Sequence, residues 1–219
     1  MRLIIITPYP PAITGIGQYG YHVSRLLARS GSFSQVTVLT GQASLQFADE
    51  NHIPLEIKRV WRPDKWRMIG AIPAQIKQLQ PDLVWFNLGA SVFGRFPPAN
   101  LSGYLSVVQT QQMGFPTVVT LHELPELVDL RLLHAPGGVF ARYGARLLTN
   151  LATRADVTCV TIQRYADWLA ARNEAGKYLH IPIGAYTPPV MLAEPEQPEL
   201  LFFSSLAPFK GLELLLHSF

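Results

Sequence analysis

The sequence predicts an α/β fold built on one parallel β-sheet with helices on both faces. Three observations predict it. Short strand-like runs alternate with helical patterns along most of the 219 residues. The strand runs are continuously apolar, as strands buried on both faces are, rather than alternating. The composition, 48 % hydrophobic and 15 % charged, is that of a globular chain and not of a disordered one.

Taken in order, Arg2 to Thr7 ("RLIIIT") reads as a short buried strand. A proline-rich loop follows, and Gly17 to Ala28 reads as a helix with Tyr19, Val23, Leu26 and Leu27 on its apolar side. Gln35 to Thr40 is a second strand, and Leu55 to Trp61 alternates as a third; Leu45 to His52 has no clear reading. Helical spacing returns at Ile69, Ile72, Ile76 and Leu79, with Pro73 marking a start or a kink. Leu83 to Gly89 is strand-like. Leu101, Leu105 and Val108 are spaced for a helix over Leu101 to Met113, and Thr117 to His122 is another buried strand. Pro136-Gly137-Gly138 opens a helix to about Arg154, and "ADVTCVT" is the next strand. Thr161 is placed to N-cap a helix whose Ile162, Tyr165, Ala166 and Leu169 share a face. Lys177 to Gly184 closes the series.

The segment from Tyr186 to Glu199 is proline-rich, acidic and aperiodic, and reads as a linker. The expected organisation is a first domain over residues 1–185, a linker over 186–199, and over 200–219 the first strand and helix of a second domain. Twenty residues are too few to bury a core of their own. The alternative is a last strand and helix added to the first sheet.

Several classes are disfavoured. A net charge of +3 without a long basic run is no nucleic-acid footprint, though it permits an anionic ligand or membrane surface. Cys159 is the only cysteine, so no internal disulfide forms, which leans cytoplasmic; its apolar run makes it a core residue. No window reaches 18 uncharged apolar residues, and the early prolines break any signal-peptide pattern. No metal-ligand spacing occurs: "HELPE" (His122 to Glu126) ends in Glu, and Pro125 forbids the helix it would need.

In an open parallel sheet, ligands bind at the carboxyl ends of the strands. Gly15 and Gly17 lie past the first strand at the mouth of a helix, where free N–H groups and missing side chains can receive a phosphate or a sugar hydroxyl. The bland reading is a tight turn. Gly15-x-Gly17-x-x-Gly20 matches a dinucleotide fingerprint by letter, but a long loop precedes it, and the next strand ends in Thr40-Gly41 without an acid, which argues against NAD. His122 ends an apolar strand, where its neutral and charged forms are both accessible near neutral pH and Glu123 or Glu126 can orient it. Asn87, at the end of "LVWF", binds polar groups or makes an Asx-turn. Arg59, Arg62, Lys65 and Arg67 cluster around Trp61 and Trp66, which suits an anionic lipid or glycan, or an ordinary solvated face.

Four stretches together resemble a known family: "TPYPPAITGIGQYGYHVSRLLA", "TVVTLHEL", "HIPIGAY" and "LLFFSSLAPFKGLELLLHSF". They look like the N-terminal, acceptor-side half of a retaining glycosyltransferase of the GT-B fold, family 4. The resemblance implies a Rossmann-like first domain. It also implies that Gly15, Ile16 and Gly17 approach the donor diphosphate and sugar, that His122 contacts the transferred sugar and supports catalysis, and that Lys210 meets the donor phosphates. Asn87, Glu123, Arg62 and Arg67 are weaker candidates on the acceptor side. The expected partners are a nucleotide sugar and a glycan or lipid-linked acceptor, with peripheral contact to an anionic membrane at its cytoplasmic face. No cofactor or metal is expected, the nucleotide sugar being a substrate. Two positions depart from the family pattern: Ser204-Ser205 stands where Gly-Arg is usual, and Ile183 where Asn is usual. The chain by itself is expected to be catalytically incomplete. The competing reading is a non-catalytic α/β module that binds a glycan or an anion.

Overall fold

The computed structural model describes residues 1–43, 55–65, 70–128, 138–185, 197–203 and 210–218. Expectations for Leu45 to His52, Trp66, Arg67, Ile69, Pro136-Gly137, Ser204-Ser205 and most of the linker fall outside these residues. The elements are β1 (Arg2–Ile6), α1 (Gly15–Arg29), β2 (Gln35–Gly41), β3 (Leu55–Trp61), α2 (Ala71–Leu79), β4 (Leu83–Leu88), α3 (Pro97–Gln112), β5 (Thr117–Leu121), α4 (Gly138–Ala152), β6 (Val157–Val160), α5 (Gln163–Arg172), β7 (Tyr178–His180) and α6 (Leu212–His217). A 3-10 turn, Pro125–Leu127, follows β5.

The seven strands form one sheet in the order β3-β2-β1-β4-β5-β6-β7, every neighbouring pair parallel. The chain builds outward from β1 in one direction through β3, then returns and builds in the other from β4. A reversal of this kind opens a crevice at the carboxyl ends of the two strands that flank it, here β1 and β4.

Alternate residues of β1 serve two cores. Ile4 and Ile6 pack with Phe86, Leu88, Val119, Leu121 and residues of α2, α3, α4 and α5. Leu3 and Ile5 pack with Val36, Val38, Trp85 and α1. Each fully buried isoleucine contributes on the order of 2–3 kcal/mol, and this burial on both sides is why the strand needs no polar face. Cover is uneven: among the described residues α1 is the one helix in the second core. Cys159 is a core residue, its thiol pushed up by burial.

Two helical faces differ from expectation for one reason. In α1 the buried positions are Gly17, Gly20, Ser24 and Ala28, while Leu26 is exposed. In α3 they include Ala99, Ser102, Gly103, Ser106, Val107 and Thr110, and Leu101, Leu105 and Val108 are only half-buried. Small residues let the helix axis come close. The hydroxyls of Ser106 and Thr110 donate to the carbonyls of Ser102 and Ser106, 3.3 and 2.7 Å away, so they can be buried without outside partners. Helix α3 starts earlier than its apolar spacing suggests because Pro97 and Pro98 occupy its first turn, where no backbone donor is needed. Pro73 likewise falls in the first turn of α2, near the helix start.

Candidate functional site

A chain of hydrogen bonds crosses the carboxyl ends of three adjacent strands. Asn87 of β4 is fully buried. Its Nδ2 donates to Thr7 Oγ1 just past β1 (2.9 Å) and to the Ile16 carbonyl in the first turn of α1 (3.3 Å). Its Oδ1 lies 2.7 Å from Nε2 of His122, the residue that follows β5. Thr7 in turn donates to the Pro8 carbonyl at 3.0 Å. The His122 backbone is held too: its N–H donates to the Leu88 carbonyl (3.1 Å), and the Thr161 hydroxyl donates to its carbonyl (3.2 Å). The Tyr19 ring meets the imidazole edge-on at 4.8 Å.

This geometry corrects three expectations. Neither Glu123 nor Glu126 orients the imidazole; Asn87 does. Glu123 instead accepts from the Ala90 N–H at 2.9 Å, and Glu126 pairs with Arg172. Burial lowers the His122 pKa from 6.5 to about 4, so at neutral pH the ring is neutral rather than poised between two forms. Thr161 caps no helix: Ile162 is the N-cap residue of α5, without a side-chain cap bond, and Thr161 is turned to His122.

The N-terminus of α1 borders the same crevice, through Ile16. Thr14 is its N-cap and accepts from the Gly17 N–H at 2.9 Å, leaving the amides of Gly15 and Ile16 in the first turn with no partner inside the helix. The glycines differ. A Cβ on Gly17 would sit 2.9 Å from Thr14 Oγ1 and 3.1 Å from the Ala12 carbonyl, so the cap itself requires glycine. A Cβ on Gly20 would come within 2.3 Å of Thr7 Oγ1, and one on Gly89 within 2.2 Å of Ile16 Cδ1. Those two let α1 press against β1 and β4. Gly15 is exposed, and a Cβ there meets nothing within 4 Å. The fold does not require glycine at that position.

The loop between β1 and α1 is pinned from the edge of the sheet. Arg59 of β3 donates to the Pro10 and Gly41 carbonyls at 2.8 and 2.9 Å. Tyr9 is buried against Tyr21. Arg59 is thus committed to the backbone, and Trp61, 2 % exposed, packs on Phe93 in the core. Among the described members of the expected cluster, Arg59 is half-buried, Arg62 and Lys65 are exposed and Trp61 is buried beneath them, as in the solvated-face alternative. Arg62 is exposed and donates to Gln42 at 2.8 Å. Arg67 lies outside the described residues. Lys210 is exposed and precedes α6, a helix with no buried residue.

Glu123 joins the β4 and β5 loops. Its carboxylate holds Ala90 next to Gly89, whose carbonyl accepts from the buried Tyr104 hydroxyl at 3.1 Å. Burial, and then the Glu123 charge, raise the Tyr104 pKa far above the usual phenol value, so this donor stays protonated. Thr7, Gly20 and Tyr19 are site-forming residues that the sequence reading did not assign, and Arg59 holds the β1–α1 loop in place of the anionic contact it was offered for. The one available signal was Gly20 as the third glycine of the letter match. A separate polar cavity of about 680 Å³, lined by Asn150, Arg154, Asp156, Arg172 and Lys177 among others, opens near the amino ends of β6 and β7, away from this crevice. Among the described residues no group of three or more His, Cys, Asp or Glu could hold a metal, and no helix is long and apolar enough to cross a membrane.

The sequence profile of the glycosyl transferase 4-like domain matches residues 14–184. No curated protein matches by sequence. Among solved structures, the chain is similar to Medicago truncatula UGT71G1 complexed with UDP-glucose, with TM-score 0.53, 13 % identity, and 85 % of this chain and 52 % of that one covered. Phytolacca americana UGT2, complexed with UDP-2fluoro-glucose and pterostilbene, gives TM-score 0.52, 13 % identity, and coverage of 86 % and 54 %. Glycyrrhiza uralensis UGT73P12, complexed with glycyrrhetinic acid 3-O-monoglucuronide, gives 0.50, 10 %, and coverage of 85 % and 49 %. The chain thus spans about half the length of each, and at these identities the likeness is one of fold.

Proposed function

The chain belongs to the glycosyl transferase 4-like domain family, and from that premise we propose that it forms the acceptor-side half of a retaining, nucleotide-sugar-dependent glycosyltransferase of the GT-B fold. The observation that carries this reading is the meeting, at the β1–β4 reversal, of the open first turn of α1 with a neutral histidine fixed by Asn87. In this reading residues 1–185 are the acceptor-side domain, 186–199 the linker, and 200–219 the start of the donor-binding half. An acceptor hydroxyl attacks the anomeric carbon while the bond from that carbon to the diphosphate breaks. The diphosphate leaves with the electron pair, on the face from which the acceptor enters, and takes the hydroxyl proton. The amides of Gly15 and Ile16 and the charge of Lys210 stabilise the negative charge that develops on it. His122 binds the transferred sugar. Asn87 and Glu123 shape the crevice, and the exposed Arg62 and, from the sequence alone, Arg67 are offered as contacts for an acceptor.

The test is sugar transfer from UDP-glucose and other nucleotide sugars, followed by NMR, with the anomeric configuration of the product expected to be that of the donor. Turnover is expected only with a donor-binding half present. Robust turnover by the 219 residues alone would overturn the division of labour, and binding of NAD(H) in place of nucleotide sugars would overturn the reading itself. Retention of glycan binding in His122→Ala would favour the non-catalytic module.

Gly15 separates ligand contact from folding. With open space around its Cβ position, Gly15→Ala is expected to change stability by no more than about 0.5 kcal/mol. A methyl over the path of the phosphates is expected to weaken nucleotide-sugar affinity about tenfold, or 1.4 kcal/mol. Thermal denaturation and calorimetric titration of the same variant measure both.

Membrane contact rests on α4 rather than on the tryptophan cluster. Phe140, Tyr143, Val139 and Leu147 are 85, 68, 66 and 44 % exposed. Arg142 and Arg146 are exposed beside them, and the helix has no acidic residue. An apolar stripe flanked by arginines fits the interface of an anionic membrane and with it a lipid-linked acceptor. Co-sedimentation with phosphatidylserine vesicles is expected to fall at least fivefold in Phe140→Ser/Tyr143→Ser, from the loss of roughly 1 kcal/mol or more of apolar burial. Equal sedimentation would remove the membrane from the reading.

A further inference from the structure

We propose that Asn87 is a positioning residue that locks His122 as its Nε2–H tautomer, so that Nδ1 is a hydrogen-bond acceptor reserved for a hydroxyl of the bound sugar. The argument is one of donors and acceptors. The Ile16 carbonyl can only accept, so the Asn87 group 3.3 Å from it is the amide nitrogen, which also donates to Thr7 Oγ1. The Asn87 oxygen therefore faces His122 Nε2, at 2.7 Å. Two acceptors at that distance would repel, so Nε2 carries the hydrogen. A neutral imidazole has one, and the lone pair is left on Nδ1.

Nδ1 has no hydrogen-bond partner among the described residues. Nor is it among the buried unpaired side-chain atoms of the described residues, Ser102 Oγ and Gln109 Oε1. The groups around the imidazole leave that acceptor alone. Tyr19 presents its ring, Thr161 bonds the His122 carbonyl, and the neighbouring Glu123 turns to Ala90. A lone pair repels phosphate oxygens and accepts from a hydroxyl. The histidine side of the crevice is thereby specific for a polyol, and the phosphates are left to the N-terminus of α1. The tautomer stands on the Asn87 geometry and the neutrality of the buried ring; only the identity of the hydroxyl rests on the glycosyltransferase reading.

The experiment is the imidazole ¹H–¹⁵N correlation spectrum of the ¹⁵N-labelled chain at pH 7. A pyrrole-type Nε2 and a pyridine-type Nδ1 for His122 are expected; an Nδ1–H tautomer or an averaged spectrum overturns the proposal. Asn87→Asp keeps an acceptor for Nε2 but adds a charge and cannot donate to Ile16. It is expected to raise the His122 titration midpoint by more than one pH unit, and an unchanged midpoint overturns the role of Asn87. If that variant does not fold, the wild-type spectrum decides. On addition of UDP-glucose the Nδ1 resonance is expected to move toward the pyrrole range; binding that shifts other resonances and leaves Nδ1 in place overturns the hydroxyl assignment. A spectrum with the stated tautomer, together with no response to any nucleotide sugar when the donor-binding half is present, upholds the lock and counts against the transferase reading instead.

Discussion

His122→Ala is expected to lower the rate of sugar transfer by about a hundredfold or more, the loss typical of removing one preorganised polar group from a reacting centre. The fold is expected to survive with a smaller penalty. The substitution takes the hydrogen bond from the buried Asn87 oxygen, which costs roughly 1–3 kcal/mol where no water replaces it. The pH dependence is part of the expectation. Because burial sets the His122 pKa at about 4, below its ordinary 6.5, the ring stays neutral as pH falls from 8 to about 5. The wild-type rate should show no inflection near 6.5 from this group. The folded state gives up stability only between the two values, as the unfolded chain takes up the proton first. A pH–rate profile compared with that of the variant checks both statements. An inflection near 6.5 that disappears with the histidine would contradict the buried, neutral assignment.

Gly20→Ala is expected to destabilise the protein by about 3 kcal/mol, the upper range for overpacking, and to lower Tm by roughly 10 °C in a domain of this size. The added methyl would fall 2.3 Å from Thr7 Oγ1 and 2.9 Å from Thr7 Cγ2. Thr7 cannot yield easily. It is fully buried, and its hydroxyl both accepts from Asn87 and donates to Pro8. The same shift would disturb His122 through Asn87, so activity should fall further than stability alone accounts for. Thermal unfolding of Gly20→Ala beside Gly15→Ala makes the comparison: two glycines five residues apart in one motif, one required by packing and one not. Equal melting temperatures would refute the close contact between α1 and β1.

The parallel sheet was legible because unbroken apolar runs are what strands covered on both faces require. The strand-end histidine and the glycines at the head of α1 were legible because the topology of such a sheet says where to look. What was not legible depended on side chains that meet far apart in sequence. Asn87 reads as a polar-group binder or a turn residue, and its role in holding His122 appears only when its bonds to Thr7, Ile16 and His122 are seen. Arg59 reads as a surface cation, yet its guanidinium holds the carbonyl of Pro10. The buried faces of α1 and α3 escaped apolar periodicity because glycine lets a helix pack closely and the hydroxyls of Ser24, Ser106 and Thr110 bond within their own helices.

The earliest of the seven strands in sequence is an interior strand of the sheet, with β2 on one side and β4 on the other. Leu3 lies between Val36 on one side and Leu83 on the other. At synthesis rates of roughly 5–20 residues per second, the run from Leu3 to Ile6 waits on the order of several seconds for its second neighbour. Until then one edge of an almost wholly aliphatic strand is open to any other nascent chain. Translation speed and chaperone supply are therefore expected to govern the yield of this protein more than the strength of its finished core.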